Sequence, residues 1–134
     1  MAVRALIVED DDTTRLLLNA ILSRYATCDT VQNGGQALEA VQKALQGGQP
    51  YDLITLDLVL PDLEGLEVLR RVRELERERN VVSRDAVRIL IVTGAREDPA
   101  ADYEFRNGSE AWLLKPLRER SLVEKLGELG LLTT

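Results

Sequence analysis

Leu53-Ile54-Thr55-Leu56-Asp57-Leu58-Val59-Leu60-Pro61-Asp62-Leu63-Glu64-Gly65, written LITLDLVLPDLEG, embeds Asp57 in an almost unbroken apolar run. Leu53 to Leu56 has the length and character of a strand that is apolar on both faces. Pro61 and Gly65 then punctuate the chain where a helix should start.

Outward from this stretch, short apolar runs recur at Ala5 to Val8, Thr27 to Val31, Val87 to Val92 and Ala111 to Leu114. Longer amphipathic segments separate them. Leu17, Leu18, Ile21, Leu22 and Tyr25 keep helical spacing, as do Ala37, Leu38, Val41 and Leu45, then Val68, Leu69, Val72 and Leu75. A weaker pattern covers Ala101 and Phe105, and a good one covers Leu122, Val123, Leu126 and Leu129. Strand and helix therefore alternate five times, which predicts an α/β fold: a doubly wound, five-stranded parallel sheet with five helices. The mixed-charge segment Arg70 to Asn80 reads as a solvated helix end. Glu76 to Ala86 is assigned no function.

The 134 residues suit one domain, so a single unit over residues 1–134 is expected, without an output domain. With 45% hydrophobic and 30% charged residues, the composition is that of a soluble globular protein. No apolar stretch approaches the roughly 20 residues of a membrane span, and MAVRALIV makes a poor signal peptide, so a cytoplasmic location is expected. A net charge of -6 argues against nucleic acid or acidic lipid as a direct partner. The single cysteine, Cys28, reads as a buried, inert thiol. Histidine is absent, which removes Ser-His-Asp triads, Cys-His pairs and histidine-ligated metals. Carboxylates, lysine, hydroxyls and a hard metal remain.

Open parallel sheets bind ligands beyond the carboxyl ends of their strands. Glu9, Asp10, Asp11 and Asp12 follow the first strand, Asp57 ends the third, Thr93 the fourth and Lys115 the fifth. Taken alone, each has an ordinary structural use: one of Asp10 to Asp12 should cap the helix beginning near Thr13, and a lysine commonly only solubilises. Gathered on one rim, the carboxylates repel one another unless a cation compensates. Magnesium suits such oxygen donors, whereas zinc finds little here. Asp57 is then a plausible nucleophile toward a phosphoryl group, because that transfer needs positioning and charge neutralisation more than covalent help.

The sequence resembles the receiver domains of two-component response regulators, particularly stand-alone receivers of the chemotaxis-regulator kind. The resemblance covers essentially the whole chain and rests on IVEDD (Ile7 to Asp11), LDLVLPDLEG (Leu56 to Gly65), IVTGA (Ile91 to Ala95) and WLLKPL (Trp112 to Leu117). It implies a flavodoxin-like sheet of order 2-1-3-4-5. It further implies that Asp57 accepts a phosphoryl group from a sensor histidine kinase or histidine phosphotransfer protein in a magnesium-dependent reaction. Asp10, Asp57, the main-chain carbonyl of Val59 and, through water, Glu9 would hold the Mg2+. Thr93 would turn its hydroxyl to the phosphoryl group, with the small Gly94 leaving access, and Lys115 would pair with a phosphoryl oxygen. The Lys115-Pro116 bond would be cis. Such a protein is a signalling switch that catalyses only its own phosphorylation and dephosphorylation, and it acts on a downstream protein.

The sequence departs from the family at Val59, where a polar side chain is common, and at Trp112, where phenylalanine or tyrosine is commoner. Trp112 has two readings: core packing, or a switch that fills space vacated when Thr93 moves inward. The segment Gly94 to Asn107 would be the element so biased, its apolar face being thin. Three rivals are weighed. A magnesium-dependent phosphohydrolase of the haloacid dehalogenase type wants a second acid where Val59 stands. A flavin-binding domain wants a phosphate-binding loop where the rim is acidic. A receiver-like scaffold that is never phosphorylated would not need every one of these acids, Thr93 and Lys115.

Overall fold

A computed structural model describes residues 3–94 and 111–132 of the chain. Five strands, β1 (Val3–Val8), β2 (Ala26–Val31), β3 (Leu53–Leu56), β4 (Arg88–Thr93) and β5 (Ala111–Leu114), form one sheet in the order β2-β1-β3-β4-β5. Every pairing is parallel. The described helices are α1 (Asp12–Leu22), α2 (Gly34–Gln46), α3 (Gly65–Glu78) and α4 (Glu119–Glu128). The fifth expected helix, around Ala101 and Phe105, lies outside the described residues.

Alternation along the strands sorts the apolar side chains into two cores. Ala5, Ile7, Leu53, Leu90 and Val92 meet Leu18, Ile21 and Leu22 of α1 and Leu122 and Leu126 of α4. Leu6, Val8, Ile54, Ile89 and Ile91 meet Val41 of α2 and Val68, Leu69 and Val72 of α3. Each such side chain, fully buried, contributes about 1.5–3 kcal/mol, and this double burial is why the central strands carry no polar face. β2 differs. It is an edge strand of half-buried and exposed residues, so its polar Thr27, Asp29 and Thr30 need no second core. Cys28, expected to be buried, is half-buried on the α1 side, where desolvation pushes its thiol pKa up.

Helix starts are set by side chains that satisfy otherwise unpaired N–H groups. Asp11 caps α1, accepting from Thr14 N at 2.8 Å and Thr14 Oγ1 at 2.6 Å. Asn33 caps α2 by accepting from Gln36 N at 2.8 Å. The apolar period read for α1 runs too far. Leu17 is 43% and Tyr25 39% exposed, because the helix ends at Leu22 and the buried stripe is only Leu18, Ile21 and Leu22.

The segment between α3 and β4 is anchored by Glu76. This buried carboxylate accepts from Val87 N at 2.8 Å and from Arg73 Nη1 at 2.6 Å. The chain turns through Asn80, at φ 56°, and a short 3-10 turn at Ser83–Asp85. Among the described residues no helix is long and apolar enough to cross a membrane.

Candidate functional site

The sheet register assembles the site. Val8 pairs with Leu56 and Thr93 with Leu114, so Glu9, Asp57, Thr93 and Lys115 leave β1, β3, β4 and β5 on one rim. Main-chain hydrogen bonds tie these ends together: Asp57 N donates to Val8 O at 3.3 Å and Lys115 N to Thr93 O at 2.9 Å. Lys115 then extends its side chain past Thr93 to reach both acids. Its Nζ lies 3.0 Å from Asp57 Oδ2 and 2.7 Å from Glu9 Oε1.

Glu9, Asp57 and Thr93 are all buried, whereas Asp10 is exposed. One carboxylate oxygen from each of Glu9, Asp10 and Asp57 lies within 4.8 Å of the others. Burial pushes the Glu9 carboxyl up from 4.5 to about 7; the Lys115 ammonium and the Asp11 N–H counter this only in part, and the Asp57 charge adds to the rise. The Lys115 ammonium, despite its own desolvation, is held above its ordinary value by the Glu9 and Asp57 carboxylates.

The donor set fits a hard divalent cation. Glu9 Oε1 is buried with the Lys115 ammonium 2.7 Å away, and a carboxylate so placed keeps a further lone pair. Such a lone pair, next to two further carboxylates, can serve oxygen-preferring metals and offers nothing to thiophilic ones.

Two features shape the β3–α3 loop: Asp62, which the sequence reading passed over, and Gly65, which it read only as a helix start. Asp62 accepts from Gly34 N at 2.8 Å and Gly35 N at 2.9 Å, so it fastens the loop to the start of α2. Those amides, Gly35 foremost, hold its carboxyl below the ordinary aspartate range. Gly65 makes the tightest approach: a Cβ there would lie 2.5 Å from Asp57 O and 2.7 Å from Leu58 Cα. An aspartate followed by turn residues was the available signal for the first, and Gly65 at a helix start for the second. Arg15, also unread, donates to the main-chain oxygen of Glu9 at 3.0 Å and holds the β1–α1 turn.

The remaining expected residues are placed as follows. Val59 N donates to Asp57 Oδ1 at 3.2 Å, and its side chain is 65% exposed. A Cβ on Gly94 would sit at an ordinary 3.9 Å from Lys115 Cβ. Trp112 is half-buried against the core between the sheet and α2 and α3. The Lys115-Pro116 bond is cis. Of the proposed switch segment Gly94 to Asn107, everything after Gly94 lies outside the described residues.

Comparison with known proteins points one way. Residues 5–127 match the family described as the response regulator receiver domain. The transcriptional regulatory protein ResD of Bacillus subtilis is 34% identical over 122 residues, spanning 90% of this chain and 45% of that protein. The chain thus spans about half the length, or less, of the curated relatives it matches. Among solved structures, a CheY-like receiver domain protein of Methanospirillum hungatei superposes with a TM-score of 0.78 at 26% identity, covering 97% of this chain and 95% of the other. The receiver domain of a sensor histidine kinase from Pseudomonas aeruginosa, described with a magnesium ion coordinated in its active site cleft, superposes with a TM-score of 0.76 at 25% identity, covering 97% and 99%.

Proposed function

The chain belongs to the response regulator receiver domain family, and from that premise we propose that Asp57 is the phosphoacceptor of a protein-interaction switch. A carboxylate oxygen of Asp57 attacks the phosphorus of a phosphohistidine on a sensor histidine kinase or phosphotransfer protein. The P–N bond breaks, an acyl phosphate forms on Asp57, and the imidazole leaves with its electron pair.

Glu9, Asp10, Asp57 and the main-chain carbonyl of Val59 are the proposed holders of Mg2+, with Glu9 acting through water. When bound, the ion neutralises charge on the phosphoryl oxygens. The chain's own residues do the rest. Lys115, already 3.0 Å from Asp57, carries the cation that an incoming phosphoryl oxygen needs. Thr93, at the end of β4 between Asp57 and Lys115, supplies a hydroxyl to the same group. The phosphoryl group adds about -1.5 to -2 charge beside them, and this favours an inward Thr93, with Trp112 following. The output is a changed contact with another protein.

The observation that carries this reading is the convergence of Lys115 and two buried acids on one point of the rim. The test is incubation with acetyl phosphate and magnesium, followed by intact mass measurement. The wild-type chain should gain one phosphoryl group and Asp57→Asn none. An equal gain in Asp57→Asn would remove the assignment.

A further inference from the structure

A second concavity lies at the opposite end of the sheet from Asp57, where the Glu76 to Ala86 segment passes over the start of β3 and the entry to β4. Its volume is about 190 Å³. Val41 and Leu45 of α2, Ile54 of β3, and Val82 and Val87 of the connection wall it. The concavity is partly open to solvent, with the exposed Val82 and Asp85 in its lining, so a small molecule can reach it. An apolar cavity of roughly 150 Å³ accepts a benzene ring, which sets the scale of the occupant at one aromatic ring.

The polar groups are few, and the charged ones are carboxylates. Glu76, buried in the wall, already accepts from Val87 N and Arg73, yet each carboxylate oxygen retains acceptor capacity. Asp85, which is exposed, is a second acceptor, and Asn80 and Tyr51 are the other polar side chains of the lining, the Tyr51 hydroxyl donating to Asp29 at 2.6 Å. Carboxylates in the lining accept hydrogen bonds and repel anions. A few convergent polar groups in an otherwise apolar pocket are what orients a small ligand. Val82, 50% exposed, lies over this space instead of packing into a core, so the connection can admit a ligand without unfolding either core.

We propose that this cavity binds an uncharged single-ring aromatic molecule carrying a hydroxyl or N–H donor. It would give the chain a second input, remote from the phosphoacceptor rim. The proposal does not rest on phosphoryl transfer.

Phenol and benzoate are the probes, titrated into the full chain while the methyl NMR resonances of Val41, Leu45, Ile54 and Val87 are followed. Phenol should shift them saturably and raise Tm, and benzoate at the same concentration should do neither. Leu45→Trp places a ring in the cavity from a half-buried helix position and should lose the phenol response while keeping a wild-type circular dichroism spectrum. The proposal is overturned if phenol leaves the wild-type methyls unmoved, if benzoate moves them equally, or if the folded Leu45→Trp chain responds as wild type does.

Discussion

Burial carries the Glu9 carboxyl up from 4.5 to about 7, and the sign of the consequence follows from linkage. Between those two values the folded chain holds a proton that the unfolded chain has released. The folded state is therefore favoured at the acid end, and metal-free stability falls as pH rises through the window, by about 3 kcal/mol at most. Glu9→Gln removes that titration. In urea unfolding with chelator present, the wild-type unfolding free energy should decline from pH 4.5 to 7 while that of Glu9→Gln stays level. Parallel profiles would show that the buried acid is not the source. The Lys115 ammonium, whose pKa is raised above its ordinary value, stays charged throughout this window and does not confuse the readout. Glu9 was legible as an acid after a strand; that it sits beneath Lys115, almost wholly buried, depends on how β5 ends, which no local pattern reveals.

At the scale of elements, the loop from Asp57 to Gly65 is held at both ends by the start of a helix. Asp62 binds the first amides of α2, and Gly65 opens α3 directly against the Asp57 carbonyl. A methyl group at Gly65 would meet main-chain atoms, which cannot rotate away, so Gly65→Ala must move the loop that carries Asp57. It should lose more than the ~1 kcal/mol typical of a point substitution and slow phosphorylation by acetyl phosphate. Asp62→Ala loses two hydrogen bonds from the first amides of α2 and should leave the phosphorylation rate closer to wild type. Chemical denaturation together with the mass-gain rate separates the two, and equal rate losses would contradict this division. The strand at Leu53 to Leu56 announced itself as an unbroken apolar run and the helix at Val68 to Val72 through its spacing. The cap at Asn33 went unread although its partner, Gln36 N, is local; the Glu76 anchor was not legible, since Val87 N reaches it only once the chain has turned back.

Across the whole molecule, a parallel sheet follows from where apolar runs fall; the order β2-β1-β3-β4-β5 is the one the family resemblance implied, and the acidic rim follows from that order. β2, which departs from the apolar rule, lies at an edge of the sheet and has half-buried and exposed residues. We propose that the acids ending β1 and β3 make one cation site beside Lys115. Isothermal titration of magnesium at pH 6 and pH 8, in buffers of differing ionisation enthalpy, tests this. With the Glu9 pKa near 7, binding should release close to one proton at pH 6 and far fewer at pH 8, with weaker apparent affinity at the lower pH. Asp10→Asn should weaken binding about tenfold or more. Magnesium affinity that is the same at both pH values and unchanged by Asp10→Asn would contradict the claim.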